Sequence, residues 1–323
     1  MADLIAVDRI RDAAATIAPH VLRTPTILSP GLTDLLGVKV ALKLETLQHS
    51  GCFKPRGITN KILSLSLAER EAGLVTVSGG NHGLAVSRIA AAMGIRATVV
   101  MPESAPARSS AVVRANGATL RLVADIAAAF DIADQERDRG LTYIHAYDDP
   151  LILAGHGTLG LELIADAPEL TDVLVSIGGG ALISGVATAV KAVKPSVRIW
   201  GVETVGAEAM TRAVAAGRPV PVEITSIAST LGAPIVTDRT LAHTRALVED
   251  IFVIDDAAAV DGVLTVAEEA KLWVEPAAGC LVPAARQVLA RVGTDAVLGL
   301  VLCGGNASLA DITAWAQRFR VPR

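Results

Sequence analysis

The sequence is poor in aromatic residues, in cysteine and in long apolar runs. Aromatic residues make up 3% of the 323 residues and hydrophobic residues 51%, so aliphatic side chains have to fill the core. The three cysteines, Cys52, Cys280 and Cys303, are widely spaced and form no Cys-x-x-Cys pair. This argues against a disulfide framework, a zinc knuckle and a redox dithiol. We therefore expect a protein of the reducing cytoplasm.

A strong basic charge and membrane-directed segments are also missing. The formal net charge is −4 and no basic patch stands out, which leaves nucleic-acid binding without an electrostatic basis. The first residues lack the basic start and apolar stretch of a signal peptide, and no apolar run has the length of a membrane span. We expect neither a nucleic acid nor a membrane as a partner.

Short strand-like runs alternate with helical patterns along nearly the whole chain. Nine runs predict strands: 38–43, 74–77, 97–101, 119–122, 142–145, 172–177, 198–203, 251–254 and 296–302. Such alternation is typical of an α/β fold with mostly parallel sheets and helices on both faces. Nine strands are many for one such sheet, and Asp148–Pro150 is a plausible crossing point between two lobes. We predict two open αβα domains with the active site in the cleft between them.

Lys54 lies between Phe53 and Pro55, with glycines on both sides, in a chain that has 7 lysines and 22 arginines. An amine forms an imine with an aldehyde once burial or a neighbouring cation lowers its pKa, which a guanidinium cannot do. Arg56 is a candidate for that cation. The segment predicts Schiff-base chemistry, for which pyridoxal phosphate is the commonest cofactor. The alternative is that Lys54 only packs its stem against a loop.

Three glycine-rich turns each follow a predicted strand and precede a predicted helix. Their sequences are Ser-Gly-Gly-Asn-His at 78–82, Gly-Gly-Gly-Ala at 178–181 and Cys-Gly-Gly-Asn at 303–306. In open α/β sheets, ligands bind at the carboxyl ends of the strands. We therefore expect the three turns and the Lys54 segment to line one crevice.

The turn at 178–181 is the best anion site of the three. Consecutive glycines let backbone N–H groups point into one concavity, and the following helix adds its positive end. The pattern of a P-loop and that of a dinucleotide fingerprint are both incomplete, because Val186 and Ile183 stand where those motifs need other residues. A phosphate monoester suits the turn better, although the glycines could simply allow tight packing of a strand against a helix.

The other two turns offer polar side chains. Ser78, Asn81 and His82 could bind a carboxylate at a helix start. Alternatively, Ser78 or Asn81 could be an ordinary N-cap, and His82 could equally be a structural histidine. Cys303 could be a small buried residue without a role. Glu275 follows an apolar run, and it either caps the next helix or faces the crevice.

Together these motifs resemble the pyridoxal-phosphate enzymes of the tryptophan-synthase β type (fold type II), and among them the serine/threonine dehydratase and serine racemase group. The resemblance runs from about Thr24 to Asn306. The segments that carry it are 43–48, 51–57, 78–83, 154–160, 178–180, 274–276 and 303–306.

The resemblance implies a role for each matching residue, with Lys54 as the Schiff-base lysine and catalytic base. It implies that the cofactor contacts Phe53, Lys54, Asn81, Gly178, Gly179, Gly180, Ala181, Glu275 and Cys303. It implies that the substrate amino acid contacts Ser78, Gly79, Asn81 and His82. Cys303 matches the serine or cysteine that faces the pyridine nitrogen.

The resemblance also implies an organisation. Residues 1–50 plus 149–323 would form a large, discontinuous domain that binds pyridoxal phosphate, and residues 51–148 a small α/β domain. A homodimer is expected, because relatives form one. Glu203 and Ala207 match two positions of a divalent-ion site in some relatives, whereas Ala209 stands where a third, acidic ligand is expected. The need for a divalent or monovalent cation is therefore left open.

The implied activity is that of an ammonia-lyase, the β-elimination of L-threonine or L-serine to a 2-oxo acid and ammonia. One alternative is a serine racemase, or a lyase for another β-substituted amino acid such as hydroxyaspartate or phenylserine. Another is a non-catalytic amino-acid or nucleotide-binding module. Gly79 stands where racemising relatives carry a serine, which predicts poor racemisation. Phe130 lies roughly where racemases place an arginine, which predicts a preference for a less polar side chain.

Overall fold

The computed structural model describes residues 4–321. Within them, ten strands alternate with fifteen α-helices. The strands are β1 Thr26–Leu28, β2 Val40–Leu44, β3 Leu74–Val77, β4 Ala97–Pro102, β5 Thr119–Val123, β6 Thr142–Tyr143, β7 Asp172–Ser176, β8 Arg198–Thr204, β9 Asp250–Ile254 and β10 Leu298–Leu302.

The helices connect these strands and cover the sheets. They are α1 Val7–Ile17, α2 Pro30–Leu36, α3 Pro55–Leu63, α4 Leu67–Ala72, α5 Asn81–Ala92, α6 Ala107–Ala115, α7 Ile126–Asp138, α8 Pro150–Asp166, α9 Ala181–Val193, α10 Ala209–Ala216, α11 Asp238–Leu247, α12 Asp256–Thr265, α13 Pro276–Gly279, α14 Leu281–Val292 and α15 Leu309–Phe319. Short 3-10 turns lie at Glu45–Leu47 and Ser229–Leu231, and a π turn at Val266–Ala270. In the range 4–321, none of these helices combines the length and the apolar character that crossing a bilayer requires.

The strands form two sheets. The six-stranded sheet has the order β1-β2-β10-β7-β8-β9, and the four-stranded sheet has the order β5-β4-β3-β6. All neighbouring strands are parallel except β1, which is antiparallel to β2 at the edge of the larger sheet. The prediction of a mostly parallel α/β fold is confirmed.

The larger sheet shows why continuous apolar runs make central parallel strands. Every residue of β2, β7 and β10 is buried, because helices cover both faces of such a sheet. Asp172, at the start of β7, is buried but fully bonded. It accepts from the Arg198 guanidinium at 2.7 and 2.8 Å and from Trp200 Nε1 at 2.7 Å. These bonds fasten the first residue of β7 to β8.

All nine predicted strands are present, and no strand end differs from the prediction by more than two residues. The strand that the sequence pattern missed is β1. It has only three residues and none of them is buried, so it lacks the longer buried apolar run by which the other strands are recognised. Its place is decided by pairing with β2 rather than by its own composition.

The two sheets lie in different parts of the chain. The four-stranded sheet runs from 74 to 143, and the strands of the six-stranded sheet lie before 45 and after 171. Helix α3, however, packs against α8. A Cβ on Gly155 would lie 2.5 Å from the Arg56 carbonyl oxygen and 2.6 Å from the Gly57 Cα atom. The predicted domain limits at 50/51 and 148/149 therefore stay a prediction, and the helix that follows Lys54 belongs by packing to both lobes.

Candidate active site

A cavity of about 360 Å³ opens where loops from both sheets meet. Its wall includes Gly79, Gly80 and Asn81, which follow β3, together with Glu275 and Asn306 from the larger lobe. Because β3 and β10 both point their carboxyl ends here, the predicted crevice between the lobes is where the fold rules place a ligand. Lys54 does not line this cavity itself. It is two residues from Cys52, whose sulfur is 4.0 Å from the Asn81 carbonyl oxygen.

The Lys54 amine lies deep among protein atoms, although part of the side chain remains exposed. Its Nζ donates to the Ala146 carbonyl oxygen at 2.9 Å and lies 5.0 Å from the centre of the Phe53 ring. Burial lowers the pKa of Lys54 to about 8. A large fraction of the amine is therefore neutral near pH 8, which is the state that attacks an aldehyde or removes a proton.

The expectation that Arg56 lowers the pKa of Lys54 is wrong. The Arg56 guanidinium is completely buried and faces Glu45 and Glu162, with four contacts of 2.8 Å. Its charge is matched there, and desolvation is the main cause of the shift at Lys54. A helix turns side chains two positions apart to different sides, which a linear sequence does not display.

The turn between β7 and α9 presents bare backbone. Gly180 has φ of +91°, a conformation that favours glycine, and α9 begins without a side-chain cap from any residue in 4–321. The first N–H groups of a helix have no partner within the helix, so they stay available here. A Cβ on Gly179 would lie 2.1 Å from the Tyr147 ring, which packs on the turn. This backbone is a site for an anion, such as a phosphate.

The turn between β3 and α5 is built in the same way. Helix α5 begins at Asn81, and no side chain in residues 4–321 accepts from the N–H groups of its first turn. Ser78 Oγ accepts from the Gly80 N–H at 3.2 Å, which shapes the turn and leaves the helix start open. The alternative of an ordinary N-cap made by Ser78 or Asn81 is therefore wrong. An open helix start on the cavity wall suits a carboxylate.

His82 is placed differently from the other residues of this turn. Its ring is 4% exposed and its Nε2 donates to the Ile144 carbonyl at 3.0 Å. Burial lowers the pKa of His82 to about 3, so the imidazole is neutral. The side chain does not belong to the cavity wall. Of His82, only the backbone N–H therefore remains a candidate for the predicted contact with the substrate.

The Glu275 carboxylate accepts hydrogen bonds from residues of both lobes. Its Oε1 accepts from Asn81 Nδ2 at 2.7 Å and from Thr230 Oγ1 at 2.9 Å, and its Oε2 accepts from the Asn306 N–H at 3.0 Å. Asn306 Nδ2 in turn donates to Asn81 Oδ1 at 2.7 Å. Glu275 thus faces the crevice rather than capping helix α13. Burial raises the pKa of this carboxyl.

Cys303 directly follows β10 and is 4% exposed. Its thiol donates weakly to the Ala277 carbonyl at 3.7 Å, and its carbonyl accepts from the Phe53 N–H at 3.0 Å. Burial holds the pKa of Cys303 well above its usual value, so the group stays an uncharged thiol. The strand end thereby ties the Lys54 segment to the larger sheet and brings a neutral sulfur close to it.

These features fit pyridoxal phosphate, the cofactor that the sequence resemblance implies. Lys54 supplies an amine with a pKa lowered to about 8, a large fraction of which is in the neutral form that an aldehyde requires near pH 8. The turn at 178–181 supplies backbone N–H groups at the uncapped start of α9. A Cβ at Gly179 or Gly180 would collide with Tyr147 or with Met210 and Thr240, so the turn needs glycine there. Cys303 supplies an uncharged group, which does not hold a pyridine nitrogen protonated as a carboxylate would.

Several residues near the site were missed or misjudged from the sequence. Ala146 and Tyr147 lie on the crossing between β6 and α8, and only their approach in space links them to Lys54 and Gly179. Thr230 lies in the 3-10 turn Ser229–Leu231, a segment that carries no motif. Phe130 is 42% exposed on α7 and does not line the cavity, so the expectation that it selects the substrate side chain is wrong.

The candidate cation ligand Glu203 is occupied by protein donors. Its carboxylate is buried and accepts from the N–H groups of Met210 and Thr211 at 2.8 Å and from Thr211 Oγ1 at 2.6 Å. It thereby caps helix α10. Among residues 4–321, no three His, Cys, Asp or Glu side chains come together as a metal site. Glu203 therefore has a helix-capping role, and Ala207 has no side-chain oxygen to offer a cation.

Comparisons with known proteins show the family to which the chain belongs. A family model described as "Pyridoxal-phosphate dependent enzyme" matches residues 17–304. A serine racemase of Oryza sativa subsp. indica is 36% identical over 318 residues, which cover 96% of this chain and 93% of that protein. An L-threonine ammonia-lyase of Thermotoga maritima is 34% identical over 309 residues, covering 94% and 76%. The solved structure of maize serine racemase has a TM-score of 0.90 and 35% identity, with 98% of each chain covered.

Replacing Gly179 by alanine tests the cradle. The added Cβ would force the Tyr147 ring away from the turn, and we expect the affinity of the apoprotein for pyridoxal phosphate to fall by about tenfold or more, in line with overpacking elsewhere. A fluorescence titration measures this. The double variant Gly179→Ala/Tyr147→Ala, which restores the space, should recover part of the loss. An unchanged affinity in Gly179→Ala would place the phosphate elsewhere.

Removing divalent ions tests the capping role of Glu203. We expect EDTA to leave the melting temperature of the holoenzyme unchanged, because three protein donors already occupy the carboxylate. Glu203→Ala, in contrast, should lower it, since the start of helix α10 loses its acceptor. Differential scanning calorimetry with and without chelator measures both. A saturable rise in melting temperature with added Mg²⁺ would contradict the assignment.

Proposed function

The chain belongs to the family of pyridoxal-phosphate-dependent enzymes, and we propose that it is an ammonia-lyase acting on L-threonine or L-serine. The reaction eliminates the β-hydroxyl group and ends with ammonia and a 2-oxo acid. The observation that carries the proposal is the buried amine of Lys54, with its pKa lowered to about 8. Its hydrogen-bond partner Ala146 precedes Tyr147, which packs on Gly179 at the uncapped start of α9. A protein that only binds amino acids or nucleotides has no need of such an amine.

We assign the α-carboxylate of the substrate to the open start of α5. The backbone N–H groups of Gly79 and Asn81 offer donors on the cavity wall. The Ser78 hydroxyl accepts from the Gly80 N–H and holds the turn in shape. The partial positive charge of the helix end favours a negative group there. This fixes the amino acid by its carboxylate and leaves the side chain toward Thr230 and Glu275, which line the same cavity.

The proposed chemistry divides between the cofactor and Lys54. Pyridoxal phosphate, when bound, supplies an aldehyde that condenses with amines and a ring that takes up negative charge. The Lys54 amine is the base that removes the α-proton, since it is the nearby group able to be neutral at physiological pH and to accept a proton. The Ala146 carbonyl, which accepts from Nζ at 2.9 Å, orients it. The uncharged Cys303 favours loss of the β-hydroxyl over transamination.

Serine racemisation is the second candidate, because relatives with that name match nearly the whole chain. Gly79 argues against racemisation. Racemisation needs an acid or base on each face of the substrate, and the position that carries a serine in racemising relatives has no side chain here. We therefore place racemisation below elimination.

We also propose a homodimer that works in the cytoplasm. Large apolar side chains remain at the surface of the single chain, among them Leu67 at 72%, Leu309 at 70% and Leu28 at 58% exposure. A second copy is the partner that could cover part of this surface. Three buried cysteines without a disulfide suit a reducing compartment. Sedimentation velocity that gives the mass of one chain at micromolar concentration would rule the dimer out.

Replacing Lys54 tests the reaction. We expect Lys54→Ala to release 2-oxo acid from threonine or serine about 10³-fold more slowly than the wild type, since a positioned base contributes on that order. Lys61→Ala is the matched control, because Lys61 lies on the same helix and pairs with Asp149 outside the site. It should keep full turnover. Borohydride reduction followed by peptide mapping should find the pyridoxyl label on Lys54. A label on another lysine, or substantial turnover in Lys54→Ala, would sink the proposal.

Chiral chromatography of residual serine tests the choice between elimination and racemisation. The wild type should produce little D-serine per molecule of pyruvate. Gly79→Ser should raise that ratio, whereas Gly79→Ala, which adds the Cβ without the hydroxyl, should not. A Cβ at Gly79 would lie 2.9 Å from that of Ala105, so the serine variant is combined with Ala105→Gly. A wild type that racemises serine as fast as it releases ammonia would make the second candidate the correct one.

A further inference from the structure

Arg56 uses all of its guanidinium donors in the protein interior. Nε and Nη2 donate to the two carboxylate oxygens of Glu45 at 2.8 Å, and Nη1 and Nη2 donate to those of Glu162 at 2.8 Å. Nη1 also reaches Thr158 Oγ1 at 3.0 Å. One planar group thus holds two carboxylates, each through two oxygens, which is the geometry that a guanidinium fixes best.

Lys43 completes the charge balance. Its Nζ donates to Glu162 Oε2 at 2.6 Å and to the Thr24 carbonyl at 2.7 Å. Lys43, Glu45, Arg56 and Glu162, which we call the charge tetrad, carry two positive and two negative charges. The side chains of Lys43, Glu45 and Arg56 have no exposed surface, and that of Glu162 has 17%. The tetrad is a neutral, nearly dry cluster.

The tetrad connects the start of helix α3 to three other elements. Lys43 lies on β2, Glu45 begins the adjoining 3-10 turn, and Glu162 lies on α8. Arg56 is the second residue of α3, and Lys54 is the N-cap of the same helix. Pro55, between them, has a fixed φ. Whatever fixes the Arg56 backbone therefore fixes the position from which the Lys54 side chain extends.

Stability alone does not explain such a cluster. Replacing a buried ion-pair group by well-packed apolar residues is often neutral or stabilising, because desolvation offsets the attraction between the charges. The paired hydrogen bonds of Arg56 to Glu45 and to Glu162, which we call forks, fix the position of the chain at the start of α3. The reactivity of an amine depends on such positioning. We propose that the charge tetrad positions the Lys54 amine for its bond with the cofactor, with Arg56 and Glu162 as positioning residues. The inference rests on the proposed role of Lys54 as the residue that carries pyridoxal phosphate.

The test follows imine formation when pyridoxal phosphate is mixed with the full-length apoprotein, read by visible absorption and confirmed by borohydride labelling of Lys54. In Glu162→Gln, two cations face one carboxylate, and Arg56 loses one fork. We expect the rate of imine formation to fall by about tenfold, since small displacements of a reacting group have effects of this order or larger. Arg56→Lys, which keeps the charge and loses both forks, should slow it by a similar factor.

Two further variants separate positioning from general damage. Lys43→Met/Glu162→Gln removes one charge of each sign and keeps the Arg56–Glu45 fork, so imine formation should return to within about threefold of the wild type. Asp166→Asn is the matched control. Asp166 ends the same helix α8 and pairs with Arg23 and Thr26, away from α3. It should leave the rate unchanged even if the melting temperature falls.

The proposal is overturned if Glu162→Gln and Arg56→Lys melt earlier but form the imine at the wild-type rate well below their melting temperatures. It is also overturned if Asp166→Asn slows the reaction as much as they do. Should Glu162→Gln fail to fold, Arg56→Lys and the double variant still decide the matter. A wild type that forms the imine at Lys54 but releases no 2-oxo acid would sink the proposed reaction alone and leave this inference intact.

Discussion

A primary amine in water is almost entirely protonated at neutral pH, and burial in this fold lowers the pKa of the Lys54 amine. The segment that carries Lys54 lies against the end of β10 through the Phe53 N–H, and its amine is held by the Ala146 carbonyl from the crossing between the lobes. Both partners are backbone groups of other elements. The amine is therefore shielded from water only when the two sheets are in place, and its lowered pKa is a property of the assembled fold.

The buried charges of the molecule follow one rule, which is that each has partners that share or match it. Asp172 accepts from Arg198 and Trp200, Glu203 accepts from the start of α10, and Glu275 accepts from three donors at the junction of the lobes. An unmatched buried charge would destabilise the fold by several kcal/mol. The same demand places Glu203 in a capping role, because its oxygens are already taken.

The groups that this fold offers to anions are backbone N–H groups at two helix starts. Two helices, α5 and α9, have glycine as the N-cap residue and leave their first N–H groups without a side-chain cap from the described residues. This arrangement binds anions with little regard to the rest of the ligand. Proteins named serine racemase and L-threonine ammonia-lyase both match nearly the whole of this chain. The choice between such activities has to depend on a few side chains near the substrate, of which position 79 is the clearest.

The sequence by itself determined the class of fold, nine of the ten strands, the three glycine turns and the importance of Lys54. These features are local, since periodicity, glycine runs and a lysine among small residues can be recognised within a few positions. Only the tertiary structure decided what depends on distance. It turned Arg56 away from Lys54 and toward Glu45 and Glu162, directed the His82 ring into the interior, and set Tyr147 on Gly179. The physical reason is that side-chain partners are chosen by packing between elements far apart in the chain, and a linear pattern contains no measure of that proximity.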